Sequence, residues 1–379
     1  MERREYRAID CDGHVLEPPG MWERYIDTEY KPQAPKIIQD GAGIEWLLVE
    51  GRLMPKASGR ARGKTDGLNL SPTQGYTARP AGAFDPKRRL QDLDALGIEA
   101  AVLLPTQGLG IGGVRDPKLA AALCKAYNTW AAEYCSIAPD RLIGVAVVPL
   151  QDVDASIREL ERAVKEYGFK AVSVRPNPYW VREGTRTLDN PALDPFYAAV
   201  ADLGVPLMIH EGTGVNMPTA GADRFDVFFF THMVAHPFEQ MLASLSLIGG
   251  GALERHPNLR PVFLESGCSW LHYWLWRMDE HYEKRGREVP WLRQKPSDYF
   301  RRQCAISCDP DEPNIATTVE YVGAECFVFA TDYAHWDGVA DPVAEFLEHS
   351  TLPDSVNRLI LRENAGRLLR LPSVVGSGV

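Results

Sequence analysis

From Arg88 onward the chain alternates between two hydrophobic rhythms. Apolar residues spaced near 3.6 predict helices at 88–96, 117–137 and 154–167, and each is followed by a short Val/Ile/Leu/Ala run that predicts a strand, at 98–104, 142–148 and 169–174. The alternation continues with helices at 195–203, 233–248, 270–285 and 312–322 and strands at 205–209, 260–264, 303–307 and 326–330. A first strand over 6–9 brings the strand count to eight. Runs without polar alternation are those of a parallel sheet buried on both faces, and eight strand–helix units predict an α/β fold, a closed (β/α)8 TIM barrel. An open doubly wound sheet is the alternative, but no Gly-x-Gly-x-x-Gly turn follows the first strand.

The stretch before this rhythm breaks it. Ile37-Ile38, the turn Asp40-Gly41-Ala42-Gly43 and the apolar run 44–49 predict a β-hairpin. Residues 55–86, rich in Gly, Pro, Ser and Thr and carrying Lys56, Arg60, Arg62 and Lys64, predict a long surface loop. The expected organisation is one barrel domain over 1–379 with an insertion at 36–86 after strand one.

Composition narrows the function classes. With 45% hydrophobic and 24% charged residues and no apolar run of membrane-spanning length, the chain is expected to have no membrane segment. Its start lacks a signal-peptide pattern, and seven scattered cysteines, an odd number, suit reduced thiols; a cytoplasmic location is expected. A net charge of -10 argues against nucleic acid and leaves a small molecule as the expected partner. The segment Trp270-Leu271-His272-Tyr273-Trp274-Leu275-Trp276 has helical spacing that predicts core or subunit packing, and a homo-oligomer, a dimer, is expected. With Phe228-Phe229-Phe230 it leaves room for a bulky apolar substrate.

In such barrels the site is built at the C-terminal ends of the strands. Strand one ends in Asp10-Cys11-Asp12-Gly13-His14, and its period of two puts Asp10, Asp12 and His14 on one face. Strand four ends in Arg175, strand five in His210-Glu211, strand six in Glu265-Ser266-Gly267, and strand eight in Asp332-Tyr333-Ala334-His335-Trp336. Asp12, His14, His210 and Asp332 form a mixed nitrogen and oxygen set suited to one divalent metal ion, Zn, Mn or Fe.

Asp10 through Pro18, Ile209-His210-Glu211-Gly212 and Ala330-Thr331-Asp332-Tyr333 resemble the amidohydrolase-related branch of the amidohydrolase superfamily, which includes aminocarboxymuconate semialdehyde decarboxylase and γ-resorcylate decarboxylase. The resemblance implies Asp12, His14, His210 and Asp332 as metal ligands. Two positions depart from the family pattern. Asp12 stands where His or Glu is common, and Glu265 stands where family decarboxylases commonly place a His. The carboxylated lysine of binuclear relatives has no counterpart, since Lys170 begins strand four and Arg175 ends it, so a single ion is expected.

Asp332, Glu265 and His236 are the candidate acids and bases, and Arg175, His335 and Trp336 the candidate substrate contacts. Simpler roles compete: His236 as a helix-start histidine, Glu265 as a carboxylate paired with Arg175 or Arg277, Trp336 as loop packing. Asp10 and Glu17 are candidates to orient His14 or His210. With Glu265 in place of the strand-six His, the primary expectation is an enzyme that uses metal-activated water to hydrolyse an acyl bond: an ester, thioester, lactone or amide of a bulky apolar or carboxylated small molecule. The alternative is a non-oxidative decarboxylase, a lyase, with Arg175 on the substrate carboxylate, and the third reading is a catalytically silent ligand-binding barrel.

Overall fold

The computed structural model of the chain describes residues 6–39, 41, 45–54, 79–178, 187–212, 219–225, 228–335 and 338–371. Its first strand, β1 (Ala8–His14), leads into an antiparallel three-stranded sheet of β2 (Lys36–Gln39), β3 (Glu45–Val49) and β4 (Arg52–Met54). The expected hairpin is its first two strands, paired Ile37 to Leu47 and Ile38 to Trp46; β4 extends it. Residues 55–78 of the expected loop lie outside the described residues.

Seven more strands follow, separated by helices: β5 (Ile98–Leu104), β6 (Leu142–Val147), β7 (Ala171–Val174), β8 (Leu207–Ile209), β9 (Pro261–Phe263), β10 (Ala305–Cys308) and β11 (Phe327–Phe329). They pair in parallel in the order β1-β5-β6-β7-β8-β9-β10-β11. The two ends of that order meet just past β11, where Asp332 N–H donates to Asp12 O at 2.8 Å. The result is a (β/α)8 TIM barrel, and its last junction joins the strand ends that carry Asp12 and Asp332.

The strands are buried on both faces, as their continuous apolar runs require. Ile9, Val102, Ile143, Val145, Met208, Val262 and Val328 form one apolar cluster, while their neighbours Ala101, Leu103, Leu142, Val172, Leu207 and Phe263 join a larger one with the helices. Two cores divided by the period-2 alternation of each strand are the inside and outside layers of a barrel. Helices start where their caps allow: the Asp116 and Asp152 side chains accept amide hydrogens at the entry to Pro117–Cys135 and Val153–Tyr167. The seven cysteines are free and buried, and no helix among the described residues is long and apolar enough to cross a membrane.

Candidate metal centre

Asp12, His14 and His210 converge at the barrel rim, all fully or almost fully buried. The Nε2 atoms of His14 and His210 stand 3.1 Å apart, and Asp12 Oδ1 is 3.4 Å from each. The ring hydrogens follow from the other side of each imidazole. His14 Nδ1 lies 2.9 Å from Pro105 O and His210 Nδ1 lies 2.5 Å from Glu211 O. A carbonyl only accepts, so both Nδ1 atoms carry the hydrogen, and each ring when neutral turns its Nε2 lone pair toward the other and toward a carboxylate.

Two facing lone pairs beside an anion repel one another unless a cation lies among them. Donor atoms about 2.0–2.2 Å from one ion stand about 3.0–3.5 Å from each other in tetrahedral or octahedral geometry, which is the spacing seen here. Both Asp12 oxygens are buried without a hydrogen bond, so the carboxylate has lone pairs for an ion. The residues therefore fit a divalent metal. Without that charge the site compensates with protons. Burial would lower His210, but Asp12 and Glu265 raise it to about 10, and against the cost of burial His210 and His14 hold the Asp12 carboxyl below the usual range.

Asp332 approaches the same nitrogen of His14, its Oδ1 3.3 Å from His14 Nε2. Together with His335 these two make a second group of potential ligands. His335 Nδ1 lies 2.8 Å from the same Asp332 oxygen, its Nε2 lies 3.1 Å from Thr106 Oγ1, and its ring stacks on His14 at 3.9 Å. His335 thus faces the metal cluster itself; Trp336 lies outside the described residues.

Glu265 extends from the end of β9 with Oε2 3.0 Å from His210 Nε2 and 3.3 Å from His236 Nδ1. It does not pair with Arg175 or Arg277. Arg277 binds Glu280, and Arg175 donates to Glu211, to Gly212 O at 3.0 Å and to Asn177 Oδ1 at 3.2 Å. The Arg175 fork is thereby engaged by the turn after β8. His236 is not at a helix start: the Phe228-Phe229-Phe230 run is already helical, and His236 falls in the third turn of the helix Phe228–Gly249, where burial keeps its ring neutral. One turn later, Gln240 donates to Ile209 O at 2.7 Å and Leu264 O at 3.0 Å, tying the ends of β8 and β9 together so that His210 and Glu265 keep their spacing. Sequence reasoning passed over Gln240, whose i, i+4 relation to His236 was the available signal.

The strand-one alternation is interrupted. The pairing register slips between Asp10 and Gly13, so Asp10 turns to Thr331, accepting from its N–H at 3.0 Å and its Oγ1 at 2.7 Å, while Asp12 and His14 meet His210. Glu17 accepts from the Gln107 and Gly108 amides at 2.8 Å. Carbonyl groups, not these two carboxylates, orient the metal-site imidazoles. Gly13 lets these side chains close in: a Cβ there would stand 2.7 Å from both Arg89 Nη2 and Asp10 Oδ2, so both would have to shift.

A family model described as amidohydrolase matches residues 9–371. Among the relatives, 2-amino-3-carboxymuconate-6-semialdehyde decarboxylase of Dictyostelium discoideum is 28% identical over 254 residues, 67% of this chain and 67% of its own. Gamma-resorcylate decarboxylase of Rhizobium radiobacter is 27% identical over 291 residues, 75% of this chain and 86% of its own. A solved dihydroxybenzoic acid decarboxylase from Polaromonas, with bound manganese and an inhibitor, shares the fold with a TM-score of 0.69 at 21% identity over 98% of this chain and 99% of that one. These relatives correct the expectation of acyl-bond hydrolysis, which rested on Glu265 replacing a strand-six His: they are decarboxylases. The replacement also does not strip the site of an imidazole, because His236 brings one from the neighbouring helix to within 3.3 Å of Glu265.

Proposed function

The chain belongs to the amidohydrolase family, and from that premise we propose that it is a metal-dependent, non-oxidative decarboxylase of a small carboxylic acid. The observation that carries this reading is the pair of imidazole Nε2 atoms facing each other 3.1 Å apart beside Asp12, in a chain whose relatives are decarboxylases of a carboxymuconate semialdehyde and of resorcylate. Asp12, His14, His210 and Asp332 are the residues to hold one divalent ion; the Polaromonas decarboxylase was solved with bound manganese. A bound divalent ion supplies positive charge that orients an anionic substrate and stabilises charge developing as the bond breaks.

The remaining chemistry belongs to Glu265, His236 and Asp332. Decarboxylation breaks one C–C bond and leaves its electron pair on carbon, where a proton must arrive: R–COO⁻ + H⁺ gives R–H + CO₂. Glu265 delivers that proton. Its Oε2 is held between two imidazoles, and the neutral His236 ring behind it orients the carboxyl. The cavity it shares with His236, about 440 Å³ and open to solvent, is the route by which the proton is replaced. Asp332, paired with His335, which in turn meets Thr106, is the second acid/base candidate.

The test uses manganese- or zinc-loaded protein and a panel of hydroxylated aromatic and unsaturated carboxylic acids in D₂O enriched in ¹⁸O. One carbon dioxide released per deuterium placed on the vacated carbon is expected. A product that takes up ¹⁸O without releasing carbon dioxide would replace decarboxylation by addition of water.

A further inference from the structure

We propose that His232, His236 and Glu265 form a second divalent-cation site, separate from the Asp12–His14–His210 cluster and joined to it at Glu265. His232 and His236 are four residues apart on the helix Phe228–Gly249, a spacing that sets both rings on one face; the ring centroids are 4.6 Å apart. Glu265 meets that face from the barrel, and one donor atom of each residue lies within 4.8 Å of the other two. The Glu265 Oε2 to His236 Nδ1 separation, 3.3 Å, already matches two ligands of one ion. His236 is 6% exposed and its Nδ1 makes no hydrogen bond, so a buried nitrogen is directed at the cluster with a lone pair or hydrogen unspent.

The surroundings favour a cation. The cluster opens on the cavity of about 440 Å³ whose wall also carries Asp309, Asp311 and Glu312. Carboxylates gathered on one wall raise the local cation concentration. Two imidazoles and a carboxylate with an open side select ions of the zinc class over magnesium or calcium, which prefer oxygen ligands. The occupant is therefore Zn²⁺ or a chemical equivalent such as Co²⁺.

Glu265 links the two sites, since its Oε2 is also 3.0 Å from His210 Nε2. An ion held by His232, His236 and Glu265 takes the carboxyl out of use as an acid. Excess zinc then stops turnover while leaving the first ion in place. This consequence rests on the decarboxylase reading; the site itself does not.

The experiment is a calorimetric titration of Co²⁺ into protein carrying one metal equivalent, followed by metal analysis after gel filtration and by the visible spectrum of the bound cobalt. The full chain is expected to take a second equivalent. His232→Ala and His232→Gln, changes at a partly exposed position, are expected to lose it or to weaken it by more than about tenfold while retaining the first. No second equivalent in the unaltered chain, or one that survives both His232 substitutions unchanged, overturns the proposal. Two equivalents in a protein that releases no carbon dioxide from any acid overturns only the decarboxylase reading.

Discussion

Glu265 and Asp332 share an unusual backbone: φ is +48° at Glu265 and +49° at Asp332, the residues that carry carboxylates from the ends of the sixth and eighth barrel strands to the His14 and His210 imidazoles. Side chains with a Cβ avoid this left-handed region at a cost of about 1–2 kcal/mol per residue, and such strain persists where the surrounding structure imposes it for function. Replacing Glu265 with Gly should leave the metal-free protein at least about 1 kcal/mol more stable than replacing it with Ala, with carbon dioxide release lost in both. Urea unfolding of the two variants measures this difference. Equal stabilities would show that Glu265 does not hold its positive φ against a cost.

The ion proposed between the facing nitrogens of His14 and His210 makes metal binding a stability term. An ion present at a thousand times its dissociation constant adds about 4 kcal/mol to the native state. Chelation should lower the unfolding temperature of the parent protein, and readdition of Mn²⁺ or Zn²⁺ should restore it. In His14→Ala or His210→Ala the response to a single equivalent of Mn²⁺ should be lost, whereas zinc can still act through the proposed His232–His236–Glu265 site. An undiminished response to one equivalent of Mn²⁺ in both variants would place the first ion elsewhere.

Much of the barrel was legible in the sequence because its signals are local. The strand over Ile98–Leu104 and the helix Trp270–Arg285 carry their own period and end where predicted. The meeting of Asp12, His14 and His210 was legible for a similar reason: each stands at the end of an apolar run, and the fold brings such ends to one rim. Contacts made across elements were not. Pro105 O and Glu211 O set the imidazole tautomers, but a carbonyl leaves no mark on residue identity. The helix predicted from Met233 begins at Phe228, and that shift hid His232 and His236 as an i, i+4 pair on one face. Glu265 was found from sequence, but its strand end alone could not reveal that a helix would return an imidazole beside it.

Glu17 gives a pH dependence with a defined sign. Burial raises its carboxyl from 4.5 to about 7, against the Gln107 and Gly108 amides, which favour the ionised form. Between those values the native state keeps a proton that the unfolded chain has released, so stability falls as pH rises through about 4.5 to 7, by at most about 3 kcal/mol. Asp10, raised by burial to about 6, acts in the same direction. Glu17→Gln gives up one acceptor and should start from lower stability, but its stability should fall less steeply between pH 5 and 7. Urea midpoints measured across that range on metal-free protein check the slope, and an unchanged slope in the variant would remove Glu17 as its source.

Arg175 separates a structural role from substrate recognition. As a clamp for a substrate carboxylate it would need donors left over, whereas its guanidinium binds Glu211, Gly212 O and Asn177 with only 6% of the residue exposed. Burial raises the Glu211 carboxyl, and Arg175 is the main group opposing that shift. Removing one partner of a buried ion pair leaves the other uncompensated, typically at about 3–5 kcal/mol. Arg175→Ala should therefore destabilise the protein by that order. Changing Glu211 to Gln in the same chain should recover part of the loss, because the stranded charge is then gone. Unfolding of both single variants and the double variant supplies the cycle. A substrate clamp would give the opposite pattern, a raised KM with unfolding unchanged and no rescue by Glu211→Gln.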